Sequence, residues 1–229
     1  MFELERSLLT KRVVDFVIWK IDQFHETFVK TRLNSFQWED VLSQALSYEH
    51  GNSSVQYDGI AGQSGYDIIC NGIRISCKSG QNQNKISDGI PIPCLLISSY
   101  RLKTYKTWED KVSFMKEQHE DSFFCLNSNF IKCSEESRVV YALYVFPQKL
   151  VDMATVIWTP HNTPTTIQQR GLSESKIYYT IKNASGEQLW IHIPIDKMWK
   201  VFSYETDLIN CNKDGNLSEP KGNFLCLSL

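Results

Sequence analysis

Gly65-Tyr66-Asp67-Ile68-Ile69-Cys70-Asn71-Gly72-Ile73-Arg74-Ile75-Ser76-Cys77-Lys78 is the stretch on which the reading of this chain turns. Two apolar-rich runs flank Asn71-Gly72. That dipeptide between β-prone segments marks a two-residue hairpin, because a type I′ turn needs φ > 0 at both central positions. Counting inward from the turn pairs Cys70 with Ile73, Ile69 with Arg74, Ile68 with Ile75 and Asp67 with Ser76. Side chains alternate across a strand, so Ser76 and Lys78 point the same way as Asp67. Directly opposed Cβ atoms lie roughly 5 Å apart, and a long side chain reaches the diagonal neighbour. One face of the hairpin therefore carries a carboxylate, a hydroxyl and an ammonium. The other carries Ile68, Cys70, Ile73, Ile75 and Cys77, a set suited to a core.

Taken singly, each polar residue has an ordinary structural use: a Lys at a strand end reaches water, and a strand Asp begins a turn. The common register is what makes the set informative. A carboxylate that binds a divalent cation beside a Lys that stabilises charge is a recurrent arrangement for phosphoryl transfer.

On these residues the stretch resembles the nuclease core of the PD-(D/E)XK restriction-endonuclease-like superfamily, in which an Asp on one hairpin strand precedes an acidic-x-Lys triplet on the next. Asp67 matches the first acid and Lys78 the Lys. Two positions depart: Tyr66 stands where the family has Pro, and Ser76 replaces the middle acid, giving Ser76-Cys77-Lys78. A subset of restriction endonucleases also carries Ser-x-Lys and draws the missing carboxylate from elsewhere in the fold. The match covers about 14 residues. It implies an α/β fold, a mixed sheet flanked by helices, with Mg²⁺ as cofactor. Asp67, a second carboxylate and the backbone carbonyl of Cys77 would hold the metal, Lys78 would orient the attacking water, and Ser76 would hydrogen-bond a metal water.

The second carboxylate is sought on the helix before the hairpin. A helix over Ser35 to Tyr48 has Ser35 as N-cap, Trp38, Val41, Leu42, Ala45 and Leu46 as its apolar face, and Glu39 and Asp40 in its first turn, where the helix dipole favours acids. The family often directs a Glu from this helix into the site. Glu39, within Trp38-Glu39-Asp40-Val41-Leu42, fits that place, and Glu49 at the helix end is the competitor.

Around this core, residues 3–33 read as one long amphipathic helix with Leu4, Leu8, Val14, Val17, Ile18, Ile21, Phe24 and Phe28 at three- and four-residue spacing. It packs on the sheet or contributes to a dimer interface. Residues 50–66 form a loop with a short strand at Val55-Gln56-Tyr57 and a turn residue at Asp58. After Lys78, residues 79–89 are amide-rich and read as a flexible loop. It is either plain surface or a DNA-contacting segment in which Gln81, Asn82, Gln83, Asn84 and Lys85 meet base edges. Pro93 to Tyr100 is a buried strand, and Arg101, Lys103 and Lys106, interleaved with Tyr100 and Tyr105, form a basic cluster that is solvated or holds phosphates. Thr107 caps a helix from Trp108 to Glu120, with Val112 and Met115 inward. Arg138 to Pro147 is the strongest strand and takes a central position.

From residue 148 the pattern becomes β-rich. Strands at Ala154–Trp158, Lys176–Lys182 and Gln188–Ile193 are separated by Thr159–Thr166, by a turn at Asn183-Ala184-Ser185-Gly186 and by Asn210–Asn216. No Pro- or Gly-rich linker sets this half apart, so the chain reads as one domain, 1–229, with a β-rich extension over 148–229 that completes the sheet.

Composition bounds the rest. With 229 residues, 42% hydrophobic, 22% charged and 12% aromatic, the chain can bury a sizeable core. A net charge of −2 makes it no bulk polyanion binder, although a local basic cleft is compatible with that value. Seven scattered cysteines without CxxC spacing and a charged start, Met1-Phe2-Glu3-Leu4-Glu5, read as free thiols in a cytoplasmic protein without signal peptide. No run of 18 apolar residues occurs. His25, His50, His119, His161 and His192 are dispersed, and no P-loop, GxGxxG or GxSxG pattern is present, so no nucleotide cofactor is expected. The resulting expectation is a type II restriction endonuclease, a homodimer cutting a palindromic site in duplex DNA. The alternatives are a repair or junction-resolving nuclease of the same superfamily and a non-catalytic DNA-binding module with a decayed site.

Overall fold

A computed structural model describes residues 2–28, 31–57, 66–87, 90–117, 120–132, 137–160, 168–182, 187–207 and 223–227. Asp58, Asp88, His119, Cys133, His161, the turn at 183–186, Asn210–Asn216 and most of Thr159–Thr166 lie outside them. The fold is mixed α/β: a large sheet flanked by helices, with a β-rich C-terminal half. No helix among the described residues is long and apolar enough to cross a membrane.

The N-terminal helical stretch is two helices, α1 (Glu3–Leu8) and α2 (Lys11–Thr27). The single helix expected over 3–33 breaks because Thr10 adopts extended backbone and its hydroxyl accepts from the Val13 N–H, starting α2 afresh. α3 spans Ser35–His50. Its cap is Asn34 rather than Ser35. The Asn34 side chain accepts from the Gln37 N–H while the Gln37 side chain accepts from the Asn34 N–H, a reciprocal capping box. The shift moves Glu39 and Asp40 out of the first turn, so the helix dipole does not account for them.

The strands are β1 (Val55–Tyr57), β2 (Ile68–Cys70), β3 (Ile73–Ser87), β4 (Ile90–Arg101), β5 (Ser122–Lys132) and β6 (Ser137–Pro147). In the C-terminal half they are β7 (Ile157–Pro160), β8 (Gln168–Leu172), β9 (Tyr178–Lys182), β10 (Gln188–Pro194), β11 (Trp199–Asp207) and β12 (Asn223–Leu227). The order across the sheet is β12-β11-β6-β5-β3-β4-β10-β9-β8-β7, with β2 also on β3 and β1 on β2. Only the β3–β5 pair is parallel among the described strands. The C-terminal half thus completes the sheet at both ends, through β10 on β4 and β11 on β6.

Two cores lie on opposite faces. Val17 and Ile21 of α2 and Trp38 and Leu42 of α3 pack against Ile68, Ile75, Phe124 and Phe202. Leu95, Ile97, Phe123, Phe146, Tyr179 and Ile191 form the second with Met115 of α4 (Trp108–Lys116). Thr107 caps α4 as expected, but the helix stops at Lys116 rather than Glu120. β5 is central: Phe123 and Phe124 are consecutive, point to opposite faces and are both fully buried. The strand expected at Ala154–Trp158 is instead a 3₁₀ turn at Met153–Thr155 followed by β7.

Candidate active site

The hairpin has the register the sequence implies. Ile68 pairs with Ile75, Ile69 with Arg74 and Cys70 with Ile73. Asn71 and Gly72 have φ of 50° and 81°, the left-handed values a type I′ turn requires. Ile68, Cys70, Ile73, Ile75 and Cys77 are all buried in the helix-side core.

Asp67 sits just before β2, and its N–H donates to the Ile75 carbonyl at 2.8 Å. Three groups gather on its Oδ2. The Cys77 N–H donates to it at 2.6 Å, the Ser76 hydroxyl at 3.3 Å, and the Lys78 ammonium lies at 3.5 Å. Oδ1 takes part in none of the three. The acid, the hydroxyl and the ammonium therefore converge as the register demands. Ser76 is 3% exposed, so it holds Asp67 from below rather than facing solvent.

Among the described strands, the site occupies a gap along one edge of β3. β2 covers that edge as far as Ile75, and β4 takes it up only at Gln81. Backbone N–H and C=O of one strand residue point to the same edge. Since the Cys77 N–H faces Asp67, the Cys77 carbonyl faces the same opening. The Cys77 thiol is buried in the core, and burial pushes its pKa far up, so this residue has only its backbone to offer. Gly80 makes the change of partner possible: a Cβ there would stand 2.5 Å from Leu95 Cδ1.

Glu39 of α3 lies close enough to Asp67 and Lys78 for both charges to act on its carboxyl. Burial, and secondarily the charge of Asp67, push its pKa up to about 7, while Lys78 draws it down. Glu49 is turned elsewhere: it accepts from the Thr10 hydroxyl at 3.0 Å and lies 3.4 Å from Arg12. Trp38 fixes α3 on the sheet, its indole N–H donating to the Phe124 carbonyl at 3.1 Å. Tyr57 of β1, which sequence reasoning did not assign to the site, borders it: burial raises its pKa, followed by the charges of Glu39, Asp40, Cys77 and Asp67.

Among the described residues, no group of three or more His, Cys, Asp or Glu side chains is placed to hold a metal. The donors at the opening are two carboxylates and a backbone carbonyl. Such a set does not suit zinc, but it fits Mg²⁺, which binds through one or two carboxylates and keeps several waters.

The amide-rich stretch differs from expectation. Residues 79–87 are not a loop: β3 runs unbroken through Ser87 and pairs with β4 from Gln81 to Ser87. The cross-strand ladder to β4 satisfies the backbone of this polar run. Gln81, Gln83 and Asn84 are exposed. Asn82 is pinned, its side-chain carbonyl accepting from Asn127 Nδ2 at 2.7 Å. Arg101 and Lys103 are exposed at the end of β4 and in the turn after it.

No protein-family model matches the chain, and no curated protein matches it. A solved structure of a restriction endonuclease in complex with substrate DNA is similar over 80% of this chain and 90% of that one, at 15% identity and a TM-score of 0.34. A likeness at that level carries no argument about the site, whose reading rests on the geometry above.

Proposed function

We propose that this chain is a Mg²⁺-dependent endonuclease that hydrolyses phosphodiester bonds of double-stranded DNA at a specific sequence, in the manner of type II restriction enzymes. The observation that carries the reading is the ion pair of Asp67 and Lys78, with Glu39 close enough to feel both charges, at an edge of β3 that no described strand pairs between Ile75 and Gln81. Asp67 through Oδ1, Glu39 and the Cys77 carbonyl would hold the metal. When bound, Mg²⁺ polarises a phosphoryl oxygen and makes a coordinated water more acidic.

The chain's own groups have distinct tasks. The Ser76 hydroxyl and the Cys77 N–H fix the Asp67 carboxylate in one orientation by engaging Oδ2, which leaves Oδ1 outside these contacts. Glu39, whose pKa burial raises to about 7, would hold the cation in its ionised form, so binding would be coupled to loss of its proton. Lys78, 21% exposed, holds the attacking water near phosphorus and stabilises the charge that develops on the non-bridging oxygens. The water oxygen bonds to phosphorus as its proton passes to solvent, the bond to the leaving sugar oxygen breaks, and that oxygen takes a proton from solvent. Gln81, Gln83 and Asn84 on the exposed run of β3, with Arg101 and Lys103, are the nearest candidates for DNA contact in sequence. Two copies on a palindromic site are the expected assembly.

Lys78→Ala tests the mechanism. It should abolish Mg²⁺-dependent cutting while leaving duplex binding in place. Unchanged cutting overturns the role given to Lys78. Binding by the parent protein without any cutting would favour a module whose nuclease chemistry is lost.

A further inference from the structure

Two amides meet on the face of the sheet that carries Lys78. β3 and β5 run parallel, with Lys78 opposite Cys125 and Gly80 opposite Asn127. Side chains alternate along a strand, so Lys78, Gly80 and Asn82 share one face of β3, and Cys125 and Asn127 share that face on β5. Asn127 is therefore a diagonal neighbour of Lys78 across the ladder. Asn82 lies four residues beyond Lys78 on the same strand, about 13 Å of extended chain.

Asn127 is 1% exposed. Its neighbours across the ladder are small, Gly80 on β3 and Ala142 on β6, which leaves room for its amide. A buried amide is costly unless it bonds. Asn127 Nδ2 donates to Asn82 Oδ1 at 2.7 Å, and Asn127 Oδ1 has no hydrogen-bond partner among the described residues. Asn82 itself is exposed. Its Oδ1 is engaged on the buried side, which leaves Nδ2, with two protons, as the group Asn82 offers to a ligand. The ladder to β4 orders the backbone that carries it. Asn84 and Asn129, two residues further along β3 and β5, continue the amide rows on the same face.

Base edges in the major groove differ in what they offer such a donor. Guanine presents two acceptors, O6 and N7, and no donor there; cytosine presents a donor, and adenine one of each. An amide whose oxygen is already held inside the protein matches guanine.

We propose that Asn127 is a positioning residue that sets the amide of Asn82, and that Asn82 reads a guanine of the duplex through Nδ2. The inference deepens the sequence-specific cleavage proposed above and rests on it.

The test is selection of bound duplexes from a randomised pool, without divalent metal, followed by sequencing of the bound fraction. The parent is compared with Asn82→Asp and Asn127→Ala. Asn82→Asp alters an exposed residue and keeps the bond from Asn127, since a carboxylate oxygen accepts as the amide oxygen did, but it replaces the offered donor with an acceptor. Asn127→Ala leaves Asn82 in place and frees its amide to turn. The parent should enrich guanine at one position. Asn82→Asp should lose about tenfold of that preference, in favour of cytosine or adenine, whose exocyclic amines donate. Asn127→Ala should broaden the preference at the same position and at no other. The added negative charge of Asn82→Asp lowers affinity for every sequence alike, so the ratio between bases is the readout. The same sequence enriched by all three proteins overturns the inference, even where overall affinity falls, and marks a purely structural amide pair. A shift in Asn82→Asp alone overturns the role given to Asn127. A parent that cuts at a fixed sequence which neither variant changes leaves the nuclease reading standing and overturns only this one. A shifted preference in a protein that never cuts upholds this inference and refutes the proposed chemistry.

Discussion

Acidification should weaken the fold through His25 before any surface group matters. His25 lies in the last turn of α2 at 1% exposure, with Nε2 2.9 Å from the Tyr141 hydroxyl. That hydroxyl also accepts from the Leu33 N–H at 3.2 Å, so His25 and Tyr141 together anchor the passage from α2 to α3, the helix that bears Glu39. Burial pushes the His25 pKa down from 6.5 to about 4, against a smaller opposing contribution from a backbone hydrogen bond at Phe28. Above pH 6.5 the imidazole is neutral in folded and unfolded chains alike, and it adds no pH dependence. As pH falls below 6.5 the unfolded chain takes up a proton that the folded chain refuses, and stability declines until about pH 4, where the folded state protonates too. A displacement from 6.5 to about 4 corresponds to roughly 3 kcal/mol, a large share of the stability of an ordinary domain. Urea unfolding followed by tryptophan fluorescence, at pH values from about 7.5 to about 4, measures it. His25→Gln keeps an amide for Tyr141 but does not titrate, so it separates this contribution from that of the carboxylates. Parent and variant curves that run parallel through the whole window would refute the reasoning.

Three further outcomes follow from the site. With the Glu39 pKa at about 7, Mg²⁺ competes with a proton, and its apparent affinity should rise about tenfold from pH 6 to pH 8. Calorimetric titration with Mg²⁺ should show that rise in the parent and a flat profile in Glu39→Gln; an equal rise in both would remove Glu39 from the ligand set. Glu49→Ala should keep full cutting activity yet lose about 1 kcal/mol in denaturant unfolding, because it breaks the contacts to Thr10 and Arg12. Lost activity with unchanged stability would return the ligand role to Glu49. Gly80→Ala should cost about 1–3 kcal/mol, since the added methyl meets Leu95. A variant as stable as the parent would show that β3 does not need a close approach there.

What could be read from the sequence was local. Asn71-Gly72 dictates its own turn, and a two-residue turn leaves one register, so the Asp67, Ser76 and Lys78 constellation followed from counting. Glu39 was harder, because which helical carboxylate meets the hairpin depends on how α3 packs. Trp38, buried against Phe124, decides that, and β5, which carries Phe124, was not recognised. Its run Asn127-Ser128-Asn129 looks like a loop, and only the pairing with β3 and β6 makes it a strand. The same holds for the amides of 81–84, which the ladder to β4 orders. β8 and β11 were missed for related reasons. Gln168-Gln169-Arg170-Gly171 lacks β-branched residues, and a bulge between Lys200 and Phe202 breaks the alternation of β11. The break between α1 and α2 was marked by Thr10, an N-cap hidden inside a continuous apolar periodicity.

The account's central claim is chemical, and incubation of the unaltered protein with duplex DNA of known sequence tests it most directly. With Mg²⁺ it should yield discrete fragments that share one short sequence at every cut, and with EDTA it should yield none. DNA left intact across a range of Mg²⁺ concentrations and pH, by protein that still binds it, would contradict the claim.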